Sequence, residues 1–349
     1  MQDDELAVRG DLYPLAGELL GPLEPSAPGE PGRRVGGRPR RGFAAGCPPV
    51  QILAQERPGE PSWRHVIACV LVRPLDEQTI LITGSTSGLG LATAERLVRS
   101  GATVLVHGRS EQKLERTLAR LGADRGVRVR GFLADLASLE EVRRLARCVQ
   151  DAMDRLDVLV NNAGVGGTDA RQTSRDGFEL TFAVNYLSHF LLTAQLMPLV
   201  RGSAPARIVN VASIGQAPVD LDDPMAERRG YDGFLAYRQS KLAQVMFTFQ
   251  LGERLREAGV DGITVNALHP ATLMNTQMVR GSFGRVMSEV SEGVQALTRL
   301  VADPGLDRVS GRYFDQLEEG APHPQAYDAE ARRRLWALSE ELVGERFEV

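Results

Sequence analysis

The segment Thr79–Gly90, with the sequence TILITGSTSGLG, places a short strand, a glycine-rich turn and the start of a helix in succession. The apolar, β-branched run Ile80–Ile82 is typical of a buried strand, and a helical pattern follows the last glycine. Such a turn presents free backbone N–H groups to a phosphate, and Gly84, Gly88 and Gly90 let the backbone approach it closely. The segment therefore predicts a phosphate-binding βα turn, with an ordinary βα turn as the alternative.

Short apolar strands and amphipathic helices alternate downstream of this segment. The predicted strands are Thr79–Thr83, Thr103–His107, Val127–Leu133, Val158–Val160, Arg207–Val211, Thr264–Leu268 and Arg312–Phe314. The predicted helices are Leu89–Ser100, Glu111–Leu121, Leu139–Asp154, Gly177–Val200, Leu235–Ala258, Phe283–Ala302 and Ala329–Leu342. This alternation predicts an α/β fold with a doubly wound parallel sheet, the Rossmann fold, and a ligand across the carboxyl ends of its strands.

The first 75 residues differ in composition from the rest of the chain. They contain 11 of the 19 prolines and 10 of the 36 glycines, many arginines, and no sustained hydrophobic periodicity. Such a segment buries too little apolar surface to offset the entropy of ordering. We therefore predict a disordered extension over residues 1–75 and a single catalytic domain over residues 76–349.

The overall composition excludes several classes of protein. The formal net charge of −4 carries no basic excess, so no nucleic-acid partner is expected. The three cysteines have no metal-binding or redox spacing, which fits a reducing cytoplasm, and no metal site is predicted. The acidic start argues against a targeting peptide, and no apolar run approaches the ~18 residues of a membrane span. The sequence thus predicts a cytoplasmic protein without a membrane partner.

The spacing of the motifs points to one family. The turn reads G-x3-G-x-G, there is no P-loop lysine, the sequence Asn-Asn-Ala-Gly fills Asn161–Gly164, and Tyr237 precedes Lys241 by four residues. With these motifs in this order, the chain resembles the short-chain dehydrogenase/reductase family over about residues 76–320. Its layout is similar to the retinol-dehydrogenase-like branch. The resemblance implies an NAD(P)-dependent oxidoreductase that acts on CH–OH groups.

Tyr237 and Lys241 are the candidate proton-transfer pair. Residues four apart share a face of a helix, and a nearby ammonium is expected to lower the pKa of the phenol from its reference of ~10. The tyrosine could then give a proton to a carbonyl oxygen or take one from an alcohol. Of 41 basic residues only Lys113 and Lys241 are lysine, so a lysine at this spacing is unexpected by chance.

Two further catalytic residues come from the resemblance. Ser213 follows the strand Arg207–Val211, and its hydroxyl would hold the substrate oxygen; a plain turn residue is the alternative. Asn185 lies within an apolar helix, and the resemblance implies that it holds a water linking Lys241 to solvent. An asparagine that serves only helix packing is the alternative.

The end of the second strand suggests which dinucleotide binds. Arg109 follows this strand with no acidic residue beside it, which favours NADP, because an arginine can hold a 2′-phosphate. NAD remains possible, and a solvent-exposed arginine is the alternative. Asp135 and Leu136 would line the adenine by resemblance; a helix N-cap near Ser138 is the alternative.

The resemblance implies a full set of cofactor contacts along the carboxyl edge of the sheet. This set comprises Gly84, Ser85, Ser87, Gly88, Leu89, Gly90, Arg109, Asp135, Leu136, Asn162, Ala163, Gly164, Tyr237, Lys241, Pro270 and Thr272. Hydroxyl donors are expected from the serines of the turn. Whether Thr272 or Thr276 reaches the nicotinamide is left open, and His269 is expected to be structural.

The sequence therefore predicts an NADP-preferring oxidoreductase that transfers hydride between nicotinamide and a small carbonyl or alcohol substrate. The loops Ile214–Phe234 and Met274–Leu300 should set specificity, and the methionines of the second favour a moderately apolar substrate. The family resemblance also allows a homodimer through the two long helices. The alternatives are a non-catalytic NADP-binding regulator and an epimerase or dehydratase, and the glycine spacing disfavours the last two.

Overall fold

The computed structural model describes residues 72–123, 126–228, 230–282 and 284–349. The predicted disordered extension lies outside the described residues except for its last four positions, 72–75. Leu75–Glu77 form a short 3-10 helix that leads into the first strand.

The described residues form eight strands and nine α-helices. The strands are β1 (Thr79–Ile82), β2 (Thr103–Gly108), β3 (Val129–Leu133), β4 (Val158–Asn161), β5 (Ala206–Val211), β6 (Ile263–His269), β7 (Arg312–Asp315) and β8 (Glu318–Glu319). The helices are α1 (Gly88–Arg99), α2 (Glu111–Leu121), α3 (Leu139–Ala152), α4 (Leu180–Phe182), α5 (Ser188–Gly202), α6 (Gly233–Glu257), α7 (Gln277–Ser282), α8 (Val290–Ala302) and α9 (Ala329–Val343). All seven predicted strands are thereby confirmed.

The strands form one sheet in the order β3-β2-β1-β4-β5-β6-β7-β8. Strands β1 to β7 pair in parallel, and only the short β8 is antiparallel to its neighbour β7. Strand β1 lies between β2 and β4, with Ile80 paired to Val104 on one side and Val158 on the other. The chain changes direction across the sheet here, so a crevice opens at the carboxyl ends of β1 and β4. This topology confirms the doubly wound Rossmann fold.

Helices cover both faces of the sheet. On one face Ile80 and Ile82 pack in a buried cluster with Leu97 of α1 and Leu297 of α8. On the other face Leu81 joins a cluster that contains residues of α3, α5 and α6. Successive strand residues point to opposite faces, and both faces are dry, so the strands read as continuous apolar runs in the sequence.

Two predicted helices have other boundaries in the structure. The predicted helix Phe283–Ala302 is wrong in its first part, because α8 begins at Val290, where Glu289 and Glu292 form a capping box. The chain before it is held differently, since the N–H of Met287 donates to the carbonyl of Leu273 at 3.0 Å. The predicted helix Gly177–Val200 begins at Leu180 and contains a π-helical turn over Ala183–Leu187.

The C-terminal segment packs on the two long helices. Trp336 of α9 and Phe347 lie against Phe190 of α5, with ring centroids 5.1 and 5.3 Å away. Ser339 of α9 and the hydroxyl of Tyr186 are hydrogen-bonded at 2.6 Å. The chain itself therefore covers part of the α5–α6 surface that the family resemblance associates with a homodimer.

Among the described helices, none has both the length and the hydropathy needed to cross a membrane.

Candidate active site

The glycine turn and the turn after β4 are in direct backbone contact. Gly84 and Gly88 have positive φ angles of 63° and 55°. A Cβ on Gly84 would lie 2.8 Å from Cα of Ala163, and one on Gly90 would lie 2.6 Å from the carbonyl oxygen of Gly84. Side chains at these positions would push the turns apart, so the backbone itself forms a cradle at the start of α1. This cradle fits the pyrophosphate of a dinucleotide.

The hydroxyl groups of the turn differ in their availability. Ser85 is fully buried, and its Oγ donates to the carbonyl of Ile82 at 2.8 Å and accepts from the N–H of His107 at 2.9 Å. The expectation of a phosphate-directed hydroxyl is therefore wrong for Ser85, whose side chain joins the turn to β2. Ser87 is exposed, precedes α1 and makes no capping bond, while Leu89 packs beneath the helix.

His107 supports the glycine turn, a role that the sequence did not suggest. The N–H of Gly84 donates to Nδ1 of His107 at 3.0 Å, and Nε2 lies 3.1 Å from the carbonyl oxygen of Ala134. Burial lowers the pKa of His107 to about 4, so the ring is neutral and carries its proton on Nε2. A histidine at the end of the second strand, beside the turn, is the signal that was available.

Asn162 and Thr83 tie β4 to β1. The side-chain amide of Asn162 donates to the carbonyl of Thr83 at 2.7 Å. Oγ1 of Thr83 accepts from the N–H groups of Asn162 and Ala163 at 2.9 and 3.0 Å. Asn162 thus helps to hold β4 beside β1 at the crevice.

The residues expected near the adenosine lie at the ends of β2 and β3. Arg109 is exposed and makes no hydrogen bond or ion pair with the residues that the structure describes. Asp135 is partly engaged, because its Oδ1 accepts from the N–H of Ala137 at 3.1 Å. Leu136 is buried, and Ser138 caps α3, so the alternative of a cap at Ser138 is confirmed for that residue.

The first turn of α6 is fixed by two features. The carboxylate of Asp232 accepts from the N–H groups of Phe234 and Leu235 at 2.9 and 3.0 Å and so caps the helix. A Cβ on Gly233 would lie 2.1 Å from the carbonyl oxygen of Thr168, so the loop after β4 touches the helix backbone. These contacts place Tyr237, one turn further along, at the carboxyl end of the sheet.

Ser213 and Tyr237 meet at this edge, with a hydrogen bond between their side chains. Burial raises the pKa of the Tyr237 phenol, and the hydrogen bond from Ser213 opposes this effect. The expectation that the nearby ammonium of Lys241 lowers this pKa below its ordinary value is wrong in this structure, because desolvation of the phenolate dominates. Nζ of Lys241 lies 5.8 Å from the centroid of the Tyr237 ring.

Lys241 is buried and held by two acceptors. Its Nζ donates to the carbonyl of Val211 and to Oε1 of Gln244, both at 2.9 Å. Burial lowers the pKa of Lys241 to about 7. The backbone of Gly164 runs past the ammonium, since a Cβ there would lie 3.7 Å from Nζ.

Asn185 lies in the π-helical turn and is fully buried. Its Oδ1 accepts from the N–H of Val165 at 2.8 Å, and its Nδ2 donates to the carbonyl of Val165 and to Oγ of Ser240, both at 3.0 Å. Its side chain therefore ties the loop after β4 to α6, which favours the packing alternative for the amide. A relay from Lys241 to solvent stays a prediction.

The loop after β6 distinguishes the two threonines. Oγ1 of Thr272 and Nε2 of His269 are hydrogen-bonded at 3.0 Å, and burial lowers the pKa of His269 to about 4. A Cβ on Gly88 would lie 3.4 Å from Cγ2 of Thr276. Thr276 thus reaches the glycine turn, whereas Thr272, two positions after Pro270, pairs with a histidine that is structural, as expected.

Three exposed apolar side chains lie in the two loops that are predicted to set specificity. Ile214, Phe234 and Met287 are exposed by 55%, 41% and 58%. The carbonyl of Ser213, next to Ile214 in the chain, accepts from Nε2 of Gln216 at 2.8 Å and from the hydroxyl of Tyr313 at 3.1 Å.

Comparisons with known proteins identify the family. The family model for short chain dehydrogenase matches residues 78–285. Retinol dehydrogenase 13 of Mus musculus is 39% identical over 294 residues, covering 79% of this chain and 87% of the relative. Retinol dehydrogenase 14 of Homo sapiens is 37% identical over 331 residues, covering 85% and 91%. The chain belongs to the retinol-dehydrogenase-like branch of the short-chain dehydrogenase/reductase family, the NAD(P)-dependent oxidoreductases that act on CH–OH groups.

Solved structures agree with this placement. An uncharacterised protein from Mycobacterium Paratuberculosis is 32% identical, with a TM-score of 0.65 over 78% of this chain and 96% of that chain. A short chain dehydrogenase from Escherichia coli CFT073, complexed with NADPH, is 25% identical, with a TM-score of 0.57 over 70% and 98%.

Proposed function

We propose that this protein is an NADP-preferring oxidoreductase that transfers hydride between nicotinamide and an apolar carbonyl or alcohol, with Tyr237 as proton donor and acceptor. The hydrogen-bonded pair of Ser213 and Tyr237, with Lys241 one helical turn away, carries this proposal. The pair lies beside a backbone cradle that fits a dinucleotide. A cytoplasmic location, expected from the sparse cysteines, is part of the same proposal.

The chain's own residues handle the substrate oxygen and its proton. When bound, the nicotinamide cofactor gives or takes hydride at the substrate carbon. Ser213 and Tyr237 present two hydroxyl groups to the oxygen. In reduction the phenol of Tyr237 gives its proton to the oxygen, and the ammonium of Lys241 stabilises the phenolate that remains. In oxidation the same groups take the proton from the alcohol.

The proposed substrate preference rests on the two loops that are predicted to set specificity. These loops carry the exposed apolar side chains of Ile214, Phe234 and Met287. A polar sugar or acid would gain little there, whereas an alkyl or isoprenoid-like alcohol would bury apolar surface. The names of the relatives, retinol dehydrogenase and polyprenol dehydrogenase, support an apolar alcohol.

Replacing Tyr237 tests the mechanism. Tyr237→Phe keeps the ring but removes the acidic hydrogen, so turnover should fall by about 10³-fold or more while cofactor binding persists. The assay is a panel of carbonyls and alcohols with NADPH and NADP⁺, with cofactor binding followed by fluorescence. Tyr231→Phe is the matched control, because its hydroxyl bonds to Glu179 at 2.8 Å. Full activity in Tyr237→Phe would overturn the mechanism, and cofactor binding without turnover by the unaltered protein would favour a regulator.

Replacing Arg109 tests the cofactor preference separately. The guanidinium of Arg109 has no partner among the residues that the structure describes, so it is available to a 2′-phosphate. Arg109→Asp should shift the ratio of kcat/KM from NADPH toward NADH by about 100-fold. Arg116→Asp, the same charge change at an exposed position of α2, should leave the ratio unchanged. An unaltered ratio in Arg109→Asp would contradict the phosphate contact.

A further inference from the structure

The ammonium of Lys241 depends on two oxygen acceptors from two different elements. One acceptor is the carbonyl of Val211 at the end of β5, and the other is Oε1 of Gln244, three residues after Lys241 on α6. Each lies 2.9 Å from Nζ of Lys241. Val211 contributes backbone, which no substitution at that position removes. Of these two acceptors, only Gln244 can be removed by an amino-acid substitution.

The charge of Lys241 fixes how the amide of Gln244 is turned. An ammonium can only donate, so the atom of Gln244 that faces it has to be the oxygen. The amide nitrogen then faces Nδ1 of His189 at 3.0 Å. Because that nitrogen is itself a donor, Nδ1 has to carry a lone pair, which places the imidazole proton on Nε2.

His189 is suited to this role by its surroundings. The residue is 1% exposed, and its Nε2 has no hydrogen-bond partner among the described residues. Burial lowers the pKa of His189 to about 3, and the nearby charge of Lys241 acts in the same direction. The ring thus stays neutral and keeps an acceptor aimed at Gln244.

The backbone around the two side chains is also cross-tied. Oγ1 of Thr248 donates to the carbonyl of Gln244 at 2.8 Å and accepts from Nδ2 of Asn210 at 2.8 Å. On α5, Oγ1 of Thr193 donates to the carbonyl of His189 at 2.6 Å. The interior of the protein therefore holds His189 and Gln244 in register with Lys241.

We propose that His189 and Gln244 are positioning residues that hold the Lys241 ammonium beneath Tyr237 and set its charge. This inference rests on the proposed role of Lys241. Among the described residues, the other titratable groups beside the ammonium are the phenol of Tyr237 from α6 and the imidazole of His189 from α5. Strand β5 and the loop after β4 present backbone, at Val211 and Gly164. The ammonium of Lys241 is therefore held by uncharged acceptors. The loss of one acceptor should lower the pH at which Lys241 titrates.

The scarcity of lysine makes the test direct. The chain contains two lysines, Lys113 and Lys241, so protein labelled with 13C at the lysine Cε gives two NMR signals. Lys113→Arg assigns them, and exposed Lys113 serves as the internal reference. Gln244→Met removes the acceptor at similar volume, and the Lys241 signal should then titrate at a pH lower by about 1 than in the unaltered protein. Gln244→Glu, which places a carboxylate there, should move the titration to higher pH.

A matched control and a second measurement separate positioning from general packing. Gln250 is another buried glutamine of α6, and Gln250→Met should leave the Lys241 titration unchanged. 15N NMR of the histidines should show His189 with its proton on Nε2, and Gln244→Glu should move that proton to Nδ1. In turnover, Gln244→Met should lower kcat about tenfold with little change in the KM for cofactor.

These outcomes are independent of any substrate. If no substrate is ever turned over, the proposed function fails while the titration still reports on Gln244. Should the Lys241 signal titrate at the same pH in Gln244→Met and in the unaltered protein, the inference is overturned. If Gln244→Met does not fold, the same decision rests on Gln244→Glu, for which an unmoved titration and an unmoved His189 proton contradict the proposal.

Discussion

The two sides of the proposed site are held together in different ways. On the cofactor side, direct backbone contact adds to side-chain bonds such as that of Asn162, as where a Cβ on Gly84 would lie 2.8 Å from Cα of Ala163. On the substrate side, side chains hold the loops, as where Gln216 and Tyr313 bind the carbonyl of Ser213. The exposed apolar residues Ile214, Phe234 and Met287 lie in the two loops assigned to the second side.

This difference explains which half of the site a sequence can reveal. Close backbone contact and positive φ angles exclude every residue but glycine, so the cofactor side has a recognisable spacing of glycines. A loop held by side-chain bonds tolerates many residues, so the substrate side has no spacing to recognise. The following experiments test this contrast, from the largest expected effect to the smallest.

Gly84→Ala should give the largest effect. The methyl group would meet the turn after β4 at a positive φ angle of 63°, so we expect a loss of about 3 kcal/mol in the free energy of unfolding, and loss of cofactor binding. Urea denaturation and cofactor titration measure both. Gly202→Ala is the control, because a Cβ there meets nothing within 4 Å. Equal free energies of unfolding for Gly84→Ala and Gly202→Ala would contradict the proposed difference between the two sides.

Lys241→Met should abolish turnover and change how stability depends on pH. Burial lowers the pKa of Lys241 to about 7 in the folded protein, whereas an unfolded lysine titrates near ~10.4. Between these values the unfolded state binds more protons, so this group makes the folded protein more stable as the pH rises. The stability of Lys241→Met relative to the unaltered protein should therefore fall between pH 7 and 10. Urea denaturation across this pH range measures the difference in free energy of unfolding between the two proteins. A difference that does not change with pH would contradict the lowered pKa of Lys241.

Met287→Ala should give the smallest effect. Met287 is 58% exposed, so its loss removes little buried surface and should raise the KM for apolar substrates by no more than about threefold. The KM for cofactor should stay the same, because the two sides are held separately. Tyr327→Ala, at an equally exposed apolar residue against Phe249, should change neither constant. A larger change in the KM for cofactor than in the KM for substrate would contradict the assignment of Met287 to the substrate side.

The fold was predictable because its signals are periodic and local. Strands such as Thr103–Gly108 are apolar runs, and α2 has the predicted bounds Glu111–Leu121. The predicted helix Phe283–Ala302 failed because the capping box at Glu289 starts a new helix inside an apolar pattern. Hydrophobic periodicity shows where polar and apolar residues lie, but it does not mark where a helix begins. The capping motif has to be identified separately.

The side-chain partners within the site were not predictable in the same way. Ser85 and Ser87 are both serines of the same turn. The side chain of Ser85 bonds to β2, whereas Ser87 is exposed to solvent. Thr272 pairs with His269, and Thr276 meets the glycine turn. The contacts of Ser85 and Thr276 depend on which residue a distant segment places opposite, which spacing along the chain does not state.

The burial of Lys241 has a practical consequence for handling the protein. Reagents that acylate amines need a free, unprotonated nitrogen in solvent, and Lys241 is 4% exposed. The other lysine, Lys113, lies in the open on α2, so among the lysine side chains a dye, crosslinker or activated resin should attach at that one place. Coupling through the side chain of Lys113 should thus place α2 toward the support.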